Sequence, residues 1–213
     1  MQEDSHLLSN SQQQAEAVRE VKHLLRAAMN GPLSQSMRQK GLAYRVIFGV
    51  ELPRLEAIAQ ELPHDYVLAA ALWREDIREC RLLAPMLMPT GSMDAELADV
   101  WLESMHYPEE VDVCVLHLWQ YAPWASSQVF RWLAAEAPLV RYAGYALLRR
   151  LLVAGKRLTT RDAQEFLDHA ATDLRSTESR LVQMAAYKTV VRYCECGMPE
   201  ERMGSRVLNA AGL

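Results

Sequence analysis

Glycine and proline punctuate this chain rather than pervade it. Nine of each occur in 213 residues. Eleven of these eighteen mark break points at Gly31-Pro32, Pro63, Pro89 to Gly91, Pro108, Pro123, Pro138, Gly155 and Gly197 to Pro199. Proline removes a backbone donor and glycine weakens a helix interior, so helices are expected to run between such points. Each interval is one or two helices long. Within them apolar residues recur at helical spacing, as with Ala15, Val18, Val21, Leu25 and Met29 in residues 12–29. Residues 65–88 carry Val67, Leu68, Ala71, Leu72, Leu82, Leu83, Met86 and Leu87 at mixed three- and four-residue steps. Residues 125–135, 138–154, 160–171 and 177–196 repeat the pattern. Ser92, Ser127, Thr160 and Thr177 stand where N-caps are expected, and Arg180 in place of Glu denies Thr177 a capping box.

Strand signals are weak. The best is Leu42–Val50, which has no hairpin partner and reads as helix or a tight irregular segment. The expected fold is therefore all-α, with about ten helices. Helical pairs recurring over more than 200 residues point to a HEAT-like α–α superhelix (a solenoid) of about five to six antiparallel pairs. We expect a flexible N-terminal segment at 1–11 and a single helical-repeat domain over 12–213. No apolar run is long enough for a membrane span, and the start lacks the basic and apolar regions of a secretory signal. Four cysteines, with no C-x-x-C, make neither a disulfide framework nor a closed zinc site, so a reducing cytoplasm is the expected compartment. Cys114 and His117 share a helical spacing but find no second ligand pair.

The formal net charge of −4 argues against a generic, strongly basic nucleic-acid coat. That average hides a dipole. Residues 82–130 contain seven acidic groups and no lysine or arginine. Residues 131–161 contain Arg131, Arg141, Arg149, Arg150, Lys156, Arg157 and Arg161 against Glu136 alone. Such a stretch either contacts phosphates or forms a solvated cationic face balanced by its acidic neighbour.

Two charges interrupt apolar stripes. Asp112 is in helical line with Val115, Leu116 and Trp119, and Arg141 with Tyr145, Leu148 and Leu152. A charge on an inward stripe is costly unless paired. Each is satisfied by a partner or a helix end, the other member of the pair included, or both reach a ligand cleft.

The segments Ile47–Leu62, Leu72–Met88, Glu110-Val111-Asp112, Leu139–Arg150 and Leu181–Tyr193, taken in order, resemble the AlkD-like DNA alkylation-repair family. Ile47–Leu62 (IFGVELPRLEAIAQEL) is similar to its "GV-x-x-P-x-L" segment, and Leu72–Met88 to its "LW…E-x-r" helix. Glu110-Val111-Asp112 stands at its W-x-x-V-D segment. Leu139–Arg150 resembles a W-x-R-R-x-A helix, and Leu181–Tyr193 the helix that carries a second tryptophan. The resemblance implies a HEAT-like superhelix and a DNA glycosylase that hydrolyses the N-glycosidic bond of positively charged 3- or 7-alkylpurines in double-stranded DNA. It implies no cofactor and no metal. Asp112 takes the role of the carboxylate that stabilises the sugar cation, and Arg141 that of the phosphate-fixing arginine. Arg149, Arg150, Lys156, Arg157 and Lys188 are the further candidate DNA contacts.

The sequence also departs from the family pattern. The first family tryptophan falls on Pro108 and the second on Lys188. Tyr107, Trp101, Trp124 and Tyr187 are the nearby aromatics that could replace them, with Tyr107 and Tyr187 foremost. The alternative is a non-catalytic HEAT-like module that binds DNA or a protein partner. Trp73 reads as core. Trp119, Trp124 and Trp132 read as core packing ahead of a base-stacking platform. The methionines at 84–93 read as gap fillers, and His106 and His117 take no role.

Overall fold

The computed structural model describes the backbone of residues 2–213 and the side chains of residues 12–213. The expected flexible segment at 1–11 lies outside the residues whose side chains are described. The chain divides into two compact units, residues 1–92 and 93–213. Among the described residues there are twelve α-helices and no strand beyond one isolated bridge.

The first unit holds α1 (Gln2–Ala27), α2 (Gly31–Gln39), α3 (Leu52–Glu61), α4 (Tyr66–Trp73) and α5 (Arg78–Leu87). Leu25, Leu55, Ile58, Leu72, Leu83 and Leu87 are buried at its centre. The apolar rhythm of residues 65–88 is split at 74–77, between α4 and α5. The split has a use. The Asp76 carbonyl accepts from the Val46 amide at 3.2 Å, and the Arg78 amide donates to the Val46 carbonyl at 3.1 Å. Residues 42–50 are thus the tight irregular alternative, not a helix.

A buried carboxylate pins that segment. Glu79 is fully buried and accepts the amides of Phe48 (2.9 Å), Gly49 (2.9 Å) and Val50 (3.2 Å). Arg78 pairs with it at 3.2 Å and donates to the Val50 carbonyl at 3.1 Å. These bonds satisfy backbone donors that have no helix or sheet to join. Gly49 adopts φ +76°, and a Cβ there would collide with the Asn30 carbonyl and stand 2.6 Å from the Ser34 nitrogen. Trp73 is buried, with the Arg81 guanidinium 4.2 Å from its ring centroid.

The second unit holds α6 (Ala95–Glu103), α7 (Pro108–His117), α8 (Ala125–Leu133), α9 (Pro138–Val153), α10 (Thr160–Arg175), α11 (Arg180–Cys194) and α12 (Met198–Ala210). α9 packs against α7, α8 and α11, and α11 packs in turn against α10 and α12. Gly144 lets α9 approach α8, since a Cβ there would lie 2.9 Å from the Leu133 nitrogen. Trp119 and Trp132 are buried with ring centroids 4.9 Å apart. Asp99 accepts from the Trp132 indole at 2.7 Å, and Trp124 donates to the Met93 carbonyl at 2.8 Å. These tryptophans are packing, not a platform.

The helix starts differ from the expected caps. Asp94, not Ser92, caps α6, accepting from Leu97 at 2.7 Å. Thr159, not Thr160, caps α10, and Ser179, not Thr177, caps α11. Ser127 lies inside α8, which begins at Ala125. A cap must be extended while its oxygen reaches the amide three residues on. Thr159 meets that condition with ψ 163°, whereas Thr160 is already helical. No helix among the described residues is long and apolar enough to cross a membrane.

Candidate nucleic-acid interface

Helices α7, α9 and α11 bring one carboxylate and four cations to adjoining clefts. One cleft, of about 340 Å³, is lined by Asp112, Val115 and Leu116 of α7, by Ala146, Arg149, Arg150 and Val153 of α9, and by Arg192 of α11. A smaller one, of about 120 Å³, lies between α9 and α11, with Tyr142, Ala146, Arg149, Met184, Lys188 and Thr189 among its walls. Arg149 and Ala146 line both. The helical period explains the convergence. Tyr142, Ala146, Arg149 and Val153 succeed one another at steps of four, three and four along one face of α9.

Asp112 keeps a solvent-exposed edge and accepts the Tyr142 hydroxyl at 2.7 Å. Its pKa is raised because the surrounding protein removes water from the carboxylate. The Tyr142 hydrogen bond and the charges of Arg149 and Lys188 pull it part of the way back. Burial of its ring first, and then the same carboxylate, push the Tyr142 phenol up, so Tyr142 stays protonated as a donor. Arg150 is aimed by Gln120, which accepts from its Nε at 2.8 Å. Arg192 donates to the Leu152 carbonyl at 3.3 Å and pairs with Glu195 at 2.7 Å. Neither Arg149 nor Lys188 forms an ion pair among the described residues. Both instead exert their charge on the Asp112 carboxylate.

Arg141 belongs to a different face of α9. It pairs with Asp173 of α10 at 3.3 Å and lies 3.9 Å from Glu178. Asp173 is buried and accepts the Tyr145 hydroxyl at 2.7 Å. The two stripe-breaking charges are therefore satisfied separately and not by each other. Arg157 bonds the Cys196 carbonyl and pairs with Glu200 at 3.2 Å, tying the segment after α9 to α12. Lys156 is exposed beside it. Tyr107 is the N-cap residue of α7, and Tyr187 is 38% exposed on α11; neither lines the two clefts. Trp101 is buried in the core.

Asp112, Arg149, Arg150 and Lys188 are thus brought together, while Arg141, Lys156, Arg157, Tyr107 and Tyr187 are not among them. Sequence reasoning missed Tyr142 and Arg192. The three- and four-residue spacing of Tyr142 to Arg149 was a signal for the first. For the second no sequence signal exists, because its place depends on how α11 packs on α9.

A family model described as DNA alkylation repair enzyme matches residues 21–186. The chain belongs to that family. A solved structure described as "A new family of proteins related to the HEAT-like repeat DNA glycosylases with affinity for branched DNA structures" superposes with a TM-score of 0.80 at 16% identity. The match covers 91% of this chain and 82% of that one. The likeness gives the all-helical, HEAT-like repeat fold. No curated protein matches the chain. Lys188, in the wall of the smaller cleft, stands where the resemblance expects a tryptophan, and Pro108, which lines neither cleft, opens α7 where it expects another.

Proposed function

We propose that this protein is a DNA-binding member of its family that holds the phosphate backbone in the clefts between α7, α9 and α11. The observation that carries this reading is the meeting of Arg149, Arg150, Lys188 and Arg192 around the single carboxylate Asp112. An excess of cations suits phosphates, each neutralised contact adding salt-dependent affinity. It suits a positively charged alkylpurine poorly, and Lys188 replaces an aromatic face with a like charge. The relative with affinity for branched DNA supports the same direction.

One observation favours a second reading, a glycosylase for 3- or 7-alkylpurines. Asp112 is held by Tyr142 at the mouth of the cleft, where a carboxylate could stabilise an oxocarbenium-like sugar. A single assay separates the two. The protein is incubated with duplex DNA carrying 7-methylguanine, and both binding and base release are scored, with Asp112→Asn as control. The binding reading expects salt-sensitive retention of DNA with no release above the variant. Release above that background overturns it in favour of the enzyme. Affinity indifferent to salt and to Arg149→Glu with Arg150→Glu would point to a protein partner instead.

A further inference from the structure

A carboxylate at the mouth of a cationic cleft works against phosphate binding, and among the described residues no ion pair withdraws Asp112 from the cleft. Asp112 keeps an exposed edge on the larger cleft and is anchored there by the Tyr142 hydroxyl at 2.7 Å. The groups that face it come from every helix bordering the cleft: Tyr142, Arg149 and Arg150 from α9, Lys188 and Arg192 from α11. No ion pair removes Arg149 or Lys188 among the described residues, and the charges of both act on Asp112. A phosphate that enters must displace that arrangement or endure the repulsion.

We propose that Asp112 is a built-in counter-charge of the cleft, which weakens the grip on ordinary duplex backbone and so sets the binding strength and selectivity of the site. The inference rests on the DNA-binding reading above and adds a residue that acts against affinity. Like-charge repulsion of this kind is a common route to discrimination, since it penalises every ligand that cannot offer compensating contacts. A DNA shape that fills both clefts at once would offer them, whereas a straight backbone crossing one cleft would not.

The test measures affinity of the full chain for an undamaged duplex and for a four-way junction across salt and pH. The proteins are the natural one, Asp112→Asn and Tyr142→Phe. Asparagine preserves the shape and an acceptor for Tyr142, and circular dichroism checks that each variant is folded. Asp112→Asn is expected to bind duplex roughly three- to tenfold tighter, the scale of one like charge a few ångströms from a phosphate in a wet site. Junction binding should gain less, so the ratio of junction to duplex affinity falls. Lowering the pH through the carboxylate range should tighten duplex binding by the natural protein, because protonation removes the same charge. Asp112→Asn should lack that component. Histidine protonation acts on both proteins alike and cancels in the comparison. Tyr142→Phe removes a bond that favours the ionised carboxylate, so its tightening should begin at higher pH. Salt-sensitive binding by the natural protein with unchanged or weaker binding by folded Asp112→Asn overturns this inference alone. Absence of binding by both proteins overturns the DNA-binding reading and this inference with it.

Discussion

Asp112 on α7 and Tyr142 on α9 are joined by a 2.7 Å hydrogen bond, across which the phenol donates and the carboxylate accepts. The bond keeps a charged group at the edge of a cationic cleft instead of letting it swing into solvent. Burial raises the Asp112 pKa in the fold. In the window between its ordinary value and that raised value, the folded chain binds more protons than the unfolded one. Stability contributed by this group is therefore complete at low pH and is lost as pH rises through the carboxylate range. Urea midpoints of the natural protein and Asp112→Asn should show the natural protein losing ground to the variant over that rise. Parallel curves would deny that burial dominates at this carboxylate.

Arg141 should read out in stability more than in DNA binding. Its guanidinium neutralises Asp173, whose other oxygen is bound by Tyr145. Arg141→Ala leaves a buried carboxylate with one neutral donor, at a cost of about 3 kcal/mol. Denaturant titration gives that value. The slope of log affinity against log salt should stay nearly unchanged, and a drop of about one in that slope would make Arg141 a phosphate contact.

Glu79 should be indispensable to the first unit. Glu79→Ala strands the amides of Phe48, Gly49 and Val50 in the interior. Three buried donors without acceptors cost more than about 3 kcal/mol together. Glu79→Gln keeps the shape but replaces one acceptor oxygen with a donor, and should fall between. Hydrogen exchange localised to residues 46–50 distinguishes this from a general loss of stability.

Gly49→Ala should destabilise by about 2 kcal/mol or more, from the left-handed backbone and the crowding together. At φ +76° the added methyl meets the Asn30 carbonyl and the Ser34 nitrogen, both backbone atoms that cannot swing away. By contrast Gly91→Ala meets nothing within 4 Å and should be nearly neutral. Thermal melts of the two variants make the comparison, and equal melting points would deny the close approach.

The legible part of this protein was local. Helical spacing in residues 12–29, 138–154 and 177–196 sufficed for an all-α fold, because an amphipathic helix writes its buried stripe into neighbouring residues. Asp112 stood out for the same reason, as a charge on an apolar stripe. Caps were misjudged by one to three residues, since several polar side chains near a helix start compete and backbone conformation selects among them. Arg141 satisfied the same stripe argument as Asp112, yet it serves a buried pair with Asp173, a partner 32 residues away that spacing along one helix does not reveal.

The sequence by itself determined that the fold is all-α, that strands have no place in it, and that a cationic stretch follows an acidic one. Those properties depend on propensity and period, which act within a few residues. The tertiary structure alone decided which charges meet. Arg149, Arg150, Lys188 and Arg192 share adjoining clefts with Asp112 because α7 and α11 both pack on α9, while Arg157 of the same basic run is drawn away to Glu200. Electrostatic work depends on distance in space, and only the packing of the helices sets that distance.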